Sequence, residues 1–344
     1  MAQPAPSHMP ATATRLRTLN KARGGFVLPA VLAVVGVVAL VLLATISALD
    51  GLTREASAAV RRAAFQQTAL SLEADAMFLA ASTPLNSTSL GVDPNSVSLD
   101  GRLYAASDAP DAFVSLQDEG GLLNLDAASP QAFERLLVGA GVPQASASGL
   151  ADRLADAIDP DDLKRAGGAE AQDYVSAGQP PPPNGPFRRA DQVFGVLGWR
   201  EFVSAQQWSR LRESLTVDPT TAAVNVNTAP PPVLEALFGL TAEQAGRAAA
   251  RRAQAPFASL EDFGRAAGVA LVGDSERVYT FPNGRFALKV VDPSSGWIAR
   301  ARIVLSPQDP DRPAWVEERS LQALPPAQRP DLPLHAAVFP EPTR

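Results

Sequence analysis

The sequence predicts an α+β protein in which a long N-terminal helix leads into an antiparallel sheet, with a large all-α section inserted into that sheet. Three observations predict this class. An uncharged apolar run over residues 26–49 continues into an amphipathic helical pattern. A motif near residue 124 recurs near residue 225 and begins a pair of helices each time. Runs rich in β-branched and aromatic residues, separated by turn residues, follow residue 271.

Composition favours a folded, non-enzymatic protein. The 344 residues, of which 46% are hydrophobic, are enough for two or more domains. The absence of cysteine excludes disulfides, thiolate nucleophiles and cysteine-based metal sites. The two histidines, His8 and His335, lie at opposite ends of the chain, so the sequence offers no histidine-containing catalytic pair.

The charge balance is acidic. The net charge is −6, from 30 basic and 36 acidic residues. Residues 1–25 hold four basic residues and no acidic one, so without them the chain has 26 basic and 36 acidic residues and a net charge of −10. Such a chain is not typical of a general nucleic-acid-binding protein, because phosphate recognition depends on an excess of lysine and arginine.

The apolar run over residues 26–49 predicts a single membrane-spanning helix. Its 24 residues form a helix of about 36 Å, which exceeds the ~30 Å hydrocarbon core of a bilayer. A secretory signal has an apolar core of only about 7–15 residues, and the far side of this run offers only the weak cleavage sequence Ile46-Ser47-Ala48. Since all charge in residues 1–25 is positive, we expect a cytoplasmic N-terminus and a domain on the opposite side of the membrane after residue 49.

The junction between Gly25 and Phe26 is a candidate processing site. The sequence Arg23-Gly24-Gly25-Phe26-Val27-Leu28 resembles the processing site of the type IV prepilin family, in which a basic leader ends in glycine and the next residue becomes the methylated N-terminus. The resemblance implies a leader of residues 1–25 and a mature chain that begins at Phe26. A plain N-terminal anchor is the alternative.

The helix that begins at the span is predicted to cover residues 26–83. Beyond residue 49, small and apolar residues recur at spacings of three, four or seven, and no proline occurs from residue 30 until Pro84. Pro29 falls in the first turn of the mature helix, where its missing N–H costs little. We therefore expect residues 26–49 in the membrane and the remainder packed on a soluble domain.

Two segments are predicted to build the sheet of that domain. Residues 84–123 contain a loop and strand candidates at 102–106 and 112–117. Residues 271–320 contain strand candidates at 277–281, 285–291, 297–305 and 315–320, separated by turn sequences, and predict an antiparallel meander. The proline-rich tail, residues 321–344, is expected to be loose.

An internal repeat organises the all-α section, predicted over residues 124–270. Residues 123–137 align with residues 224–238 at a constant offset of 101, and the match includes Asn124 with Asn225 and Asp126 with Asn227. In each copy an apolar and asparagine-rich turn leads into a helix with proline in its first turn. Second helices are predicted at 149–158 and 242–254. The two helix-turn-helix repeats, near 123–158 and 224–254, look like SAM-type or helix-hairpin-helix modules.

The second copy also carries a basic cluster. Arg247, Arg251 and Arg252 could hold phosphate. DNA-binding helix-hairpin-helix modules have Gly-x-Gly in the hairpin, so that backbone N–H groups approach the phosphate, whereas here Gly239 is followed by Leu240 and Thr241. The first copy has no comparable cluster, which favours a packing role. A membrane-anchored DNA-binding protein of the competence-receptor type remains the alternative function.

An acidic run between the copies is a candidate calcium site. It begins at Asp156, and loop carboxylates close together in sequence can supply the oxygen ligands that calcium prefers. The twelve-residue spacing of an EF-hand is absent, and a solvated acidic loop that ends a helix has the same composition, so both interpretations stay open here. The candidate ligands are Asp159, Asp161, Asp162, Glu170 and Asp173.

The order of these elements resembles the K-type minor pseudopilins of type II secretion, over residues 23–320. The resemblance rests on Asn124-Leu125-Asp126, Ile158-Asp159-Pro160-Asp161 and Asn225-Val226-Asn227-Thr228-Ala229. Most pilins carry glutamate as the fifth mature residue, whereas K-type subunits lack it and this chain has Ala30.

The resemblance implies a type IV pilin-like fold and a non-enzymatic subunit of the bacterial inner membrane. That subunit would be processed by prepilin peptidase and would initiate or cap the pseudopilus tip with the I-type and J-type minor pseudopilins. Other pseudopilins, the inner-membrane assembly platform and secreted substrates are the further partners implied. Because known members bind calcium in the α domain, the resemblance also favours Ca²⁺ in the acidic run.

Overall fold

The computed structural model describes residues 27–109, 111–220, 222–271, 278–324, 333 and 336–340. The first helix, α1, runs over Val27–Ser82, in agreement with the predicted 26–83. The predicted leader and both processing residues, Gly25 and Phe26, lie outside the described residues. The chain divides into two compact units after Val60.

The described part of the first unit, residues 27–60, belongs to α1 and is uncharged as far as residue 49. Its large side chains are exposed, with Leu28 at 69% and Leu40 at 68%. An 18-residue window in this helix has a mean hydropathy of 3.0, long and apolar enough to cross a membrane. Such exposure is unfavourable in water and favourable in lipid, so the structure is consistent with the predicted membrane anchor.

The second unit contains all the described strands and the helices that follow α1. The strands are, in chain order, β1 (Ser89–Leu90), β2 (Val97–Ser98), β3 (Tyr104–Ala105), β4 (Phe113–Asp118), β5 (Leu123–Asn124), β6 (Leu215–Thr216), β7 (Val224–Asn225), β8 (Val278–Tyr279), β9 (Arg285–Asp292), β10 (Trp297–Leu305) and β11 (Ala314–Ala323). The helices after α1 are α2 (Pro130–Gly139), α3 (Gln144–Ile158), α4 (Ala171–Ser176), α5 (Trp199–Phe202), α6 (Ala205–Arg212), α7 (Pro231–Phe238), α8 (Ala242–Arg252) and α9 (Leu260–Ala267).

The main sheet is antiparallel, with the strand order β11–β10–β9–β4–β3. Side chains alternate between its faces, and one face buries Leu116, Leu288 and Ile303 in a core with Phe65 and Leu72 of α1. Of the meander predicted over residues 271–320, the strands at 285–291, 297–305 and 315–320 are confirmed, as is the strand near 112–117. The core forms because alternate residues of the strands are apolar on the face that packs against the apolar face of α1, and both faces are buried together.

Three local expectations are corrected. Residues 84–100 contain the β1–β2 hairpin, because Leu90 and Val97 are buried. The strand predicted at 277–281 is described only as β8, and it pairs parallel with β7 instead of joining the meander. The tail is not loose throughout, because Phe339 is 2% exposed and its ring lies 6.0 Å from that of Tyr104.

The α section has its own core, which contains side chains from both repeats. Helix α3 begins five residues before the predicted 149, because the alanine- and serine-rich segment after Pro143 continues the helix and buries Ala147. Helix α8 ends at Arg252, two residues before the predicted end. Each copy begins with an asparagine motif, which is Asn124-Leu125-Asp126 in the first copy and Asn225-Val226-Asn227-Thr228-Ala229 in the second. The strand at the start of each motif forms a two-residue parallel ladder, β5 with β6 and β7 with β8.

Candidate functional site

The acidic run folds into a loop that connects α3 to α4. Asp156, in the last turn of α3, is fully buried. Its carboxylate accepts hydrogen bonds from the backbone N–H of Arg165, at 3.2 Å, and of Ala169, at 3.0 Å. Gly168 suits this loop, because a Cβ there would lie 1.7 Å from Oδ2 of Asp156. Asp156 therefore holds the loop against the end of α3.

Arg165 bridges two carboxylates of the loop. Its Nη1 lies 2.5 Å from Oδ1 of Asp156 and 2.6 Å from Oδ2 of Asp159. Hydrogen bonds to Asp159 and Asp156 raise the pKa of Arg165. The Arg165 side chain is 38% exposed, so it can swing outward without disturbing a core. A guanidinium thus occupies the position from which a cation would contact both acids.

Two acidic residues of the loop have oxygens without a partner. Both carboxylate oxygens of Glu170 and Oδ1 of Asp159 are buried and accept no hydrogen bond. Burial raises the pKa of Glu170, and the charges of Asp156 and Asp159 raise it further. Buried oxygens without a donor are costly, and they are the kind of ligand that a hard cation prefers.

The other predicted ligands are engaged or exposed. Asp161 accepts a hydrogen bond from a backbone N–H two residues on, at 2.8 Å. Asp173 accepts from the backbone N–H of Glu170 and pairs with Lys164 at 2.8 Å, and the hydrogen bond from Lys164 lowers the pKa of Asp173. Asp162 is exposed. Over the described residues, no group of three or more histidine, cysteine or acidic side chains is already arranged to hold a metal ion.

Asp156 begins the acidic run but was not among the predicted ligands, and the position of Arg165 between two of the carboxylates was not predicted. Asp156 lies three residues before Asp159, a spacing that places two side chains on one face of a helix. That signal was available in the sequence. The bridging position of Arg165 was not, because it depends on how the loop folds back.

The three arginines of the predicted phosphate site make contacts within the fold. Arg252 is 8% exposed, and its Nη1 donates hydrogen bonds to backbone carbonyls of the second asparagine motif. Arg247 pairs with Glu243 at 2.7 Å. Arg251 donates to a backbone carbonyl at 2.8 Å. These contacts fit the packing role that the missing second glycine favoured.

The second asparagine motif joins the α section to the sheet. Asp118, the last residue of β4, accepts hydrogen bonds from Asn225 Nδ2, at 2.9 Å, and from Thr228 Oγ1, at 2.7 Å. It is fully buried, and burial raises its pKa to about 6 although these hydrogen bonds lower it. The polar residues of the motif therefore serve as structural anchors.

Comparison with known families identifies consecutive matches in this part of the chain. One family model matches residues 111–220 and another matches residues 224–279, and both describe protein K of the type II secretion system. The matched ranges run from β4 through the α section to β8. They coincide with the region that the asparagine motifs organise.

A curated relative supports the same assignment. Type II secretion system protein K of Pseudomonas aeruginosa is 29% identical over 172 residues, which cover 46% of this chain and 50% of the relative. The chain thus aligns with about half the length of that protein.

A solved structure shares the architecture. The GspK-GspI-GspJ complex from the type 2 secretion system of enterotoxigenic Escherichia coli contains a chain with a TM-score of 0.50 and 20% sequence identity, and the match covers 75% of this chain and 96% of that one. At this identity the likeness concerns the fold. It confirms the predicted long helix and antiparallel sheet with an inserted helical domain.

Proposed function

We propose that the chain is a member of the protein K family of the type II secretion system, whose models match residues 111–220 and 224–279, and that it is a non-enzymatic minor pseudopilin at the tip of a periplasmic pseudopilus. The observation that carries the proposal is helix α1. Its residues 27–49 are apolar and exposed, while Phe65 and Leu72 of the same helix are buried in the core of the sheet. A helix with these two environments suits a subunit that is stored in the inner membrane and assembled through its N-terminus.

Processing at the Gly25–Phe26 bond is part of the proposal. Prepilin peptidase would remove residues 1–25 and methylate Phe26, with the N-terminus cytoplasmic and the domain after the span periplasmic. Intact-mass and N-terminal analysis of the protein isolated from membranes tests this step. A methylated Phe26 terminus is the expected result, whereas an intact Met1 or a terminus near residue 49 would overturn it.

The partners of the proposed tip are the I-type and J-type minor pseudopilins. The solved complex that shares this fold contains GspI and GspJ beside GspK, and Ala30 replaces the glutamate that other pilins use toward a neighbouring N-terminus. Co-expression of the three subunits and size-exclusion chromatography should yield one complex. Three separate peaks at micromolar concentration would contradict the assignment of partners. Filament initiation and contact with secreted substrates would then be measured as export of a secreted protein.

Calcium binding in the acidic loop completes the proposal. The unpartnered oxygens of Glu170 and Asp159 fit a calcium ion, and Asp156 would join them once Arg165 has swung outward. Bound calcium would supply charge neutralisation that fixes the loop between α3 and α4. Asp161, Asp162 and Asp173 are the remaining candidate ligands at the rim.

Titration calorimetry of the full chain in detergent with calcium chloride tests this site. We expect Glu170→Gln to weaken binding at least tenfold, because it removes a charged ligand, and Glu261→Gln, an exposed acid on α9, to leave it unchanged. Equal affinity in both variants, or no binding to the native chain at millimolar calcium, would overturn the site. DNA binding that is salt-sensitive and lost on substitution of Arg251 and Arg252 would instead favour the competence-receptor alternative.

A further inference from the structure

A groove lies between the α section and the sheet face that points away from α1. Its volume is about 840 Å³, and it is lined by the 3₁₀ helix Ala190–Gly195, by α6 and by strands β9 to β11. Leu288 and Ala301 point toward α1, so their neighbours Lys289 and Arg300 point into the groove. The groove is therefore formed jointly by the sheet and the α section, where the two pack together.

The lining of the groove is basic, in contrast to the chain as a whole. The chain has a net charge of −6. Six basic side chains and three acidic ones line the groove, a local balance of +3. The basic residues are Arg189, Arg200, Arg210, Arg212, Lys289 and Arg300, and the acidic ones are Asp191, Glu213 and Glu318.

Among these cations, Arg212 at the end of α6 is the strongest indication of an anion-binding site. It is partly buried, and within the described part of the chain its guanidinium makes no hydrogen bond or ion pair. Burial lowers the pKa of Arg212 and the neighbouring charge of Arg300 lowers it further, while the charges of Glu213, Glu119 and Glu318 offset this only in part. A guanidinium withdrawn from water beside a like charge is unfavourable unless an anion compensates it. Arg200 and Arg210 likewise have no acidic partner among the described residues.

The groove already shows how it binds a carboxylate. Glu213 places Oε2 at 2.5 Å from Nζ of Lys289 and Oε1 at 2.8 Å from Nη2 of Arg300. Burial would raise the pKa of Glu213, but the two cations outweigh it and hold that pKa below its usual value. The sheet cations are thus satisfied from within the chain. Among the described residues, Arg210 and Arg212 of α6 have no ion-pair partner, and Arg200 of α5 lies over the ring of Phe194, at 4.9 Å, without an acidic partner.

The distribution of charge favours a peptide over a nucleic acid. Asp191 and Glu318 interrupt the basic lining, so a continuous phosphate backbone would meet repulsion along the groove. Carboxylates on a polypeptide are spaced by uncharged backbone and can avoid these acids. Arginine also binds carboxylates with directional, charge-assisted hydrogen bonds.

We propose that this groove is a docking site for an acidic segment of another polypeptide, whose carboxylates pair with Arg212, Arg210 and Arg200. Neither membership of the family nor the proposed place in a filament requires it. The partner is defined by its chemistry as a flexible segment with several aspartate or glutamate residues. Its affinity is expected to decline with salt, because exposed ion pairs are screened.

Fluorescence anisotropy with a fluorescein-labelled hexa-aspartate peptide, and a hexa-serine peptide as control, tests the proposal on the full chain in detergent. We expect saturable binding of the acidic peptide alone, weakened about five- to tenfold by Arg212→Gln, since a charge-assisted hydrogen bond is lost. Arg265→Gln removes the same charge from a 78% exposed site on α9 and should leave the affinity unchanged.

A second variant keeps the proposal testable if Arg212→Gln does not fold. Gln322→Arg adds a cation at an exposed position in the groove and should tighten binding. The proposal is overturned by absence of peptide binding at 1 mM, by equal losses in the Arg212 and Arg265 variants, or by no gain in Gln322→Arg. It is also overturned if single-stranded DNA of the same charge displaces the peptide at lower concentration, since that result would identify a phosphate site.

Discussion

Nη1 of Arg135 donates a hydrogen bond to the backbone carbonyl of Ala236 at 3.0 Å, and these two residues occupy the same position in the two copies of the repeat. The contact joins α2 to α7, the first helix of each pair. The internal repeat is thus a packing relationship as well as a similarity of sequence.

Arg135→Ala should destabilise the α section by about 1–2 kcal/mol. Ala236 lies in the last turn of α7, where backbone carbonyls lack helical partners, and a cation there also interacts favourably with the helix dipole. Urea unfolding followed by tryptophan fluorescence measures the loss, because Trp199 and Trp208 lie in this section. Arg265→Ala, on the exposed face of α9, is the matched control, and an equal effect of the two changes would contradict the prediction.

Gly168→Ala should disrupt the acidic loop. Its Cβ would lie 1.7 Å from Oδ2 of Asp156, so either the carboxylate or the loop must move, at a cost of about 2 kcal/mol or more. Gly246→Ala lies within α8 with open space around it and should instead stabilise the chain by about 0.5–1 kcal/mol. Opposite shifts in the urea midpoint are expected. Shifts of the same sign would contradict the account of the loop.

The stability of the chain should decrease as pH rises from about 4 to about 6, in the part that depends on Asp118. Burial raises the pKa of Asp118 to about 6, so the folded state binds this proton more tightly than the unfolded state does. Raising the pH through this window therefore removes about 3 kcal/mol of stability, and the effect is flat above it.

Comparison with Asp118→Asn isolates that contribution, because asparagine does not titrate. Urea unfolding at several pH values should show a smaller decline in the variant than in the native chain. Asp111→Asn, an exposed control on the approach to β4, should retain the native pH profile. Parallel profiles for Asp118→Asn and the native chain would refute the assignment.

Phe339→Ala should release the end of the tail. The Phe339 ring is buried against Tyr104, and the backbone around it exchanges hydrogen bonds of 2.8 Å with Ala105. Without the ring we expect faster amide hydrogen exchange at Ala105 and at residue 339, because loss of the apolar contact weakens the backbone hydrogen bonds that join them. Val338→Ala, at a 60% exposed side chain, is the control. Exchange at the same rate in both variants would show that Phe339 does not hold the tail.

The sequence predicted the elements that periodicity and breakers define. Helix α1 matches because its pattern runs unbroken to Pro84, and strands β9 and β10 match because turn residues bound them. Helix α5 was not predicted, since four residues give no periodic signal and the element is held by burial of Trp199. The parallel pairing of β8 also escaped prediction, because two residues can join either sheet until tertiary contacts decide.

In the acidic loop, too, the sequence predicted which residues are present but not how their side chains are arranged. The sequence indicated carboxylates in one short segment, which is a matter of composition. It could not indicate that Glu170 keeps both oxygens free of donors while Asp161 and Asp173 do not. That division depends on the direction of each side chain after the loop has closed on Asp156.

Strands β4 and β9 are nearest neighbours in the sheet, although residues 119–284 separate them in sequence. Asp118 and Phe286 face one another at the last rung of this ladder, so the entire α section occupies the position of a hairpin turn. Folding of the insertion holds its two ends together, and the sheet then need not close a long flexible loop. The insertion should therefore be exchangeable: a short turn in its place would leave a minimal sheet domain, and a different module with closely spaced ends could be grafted at the same point.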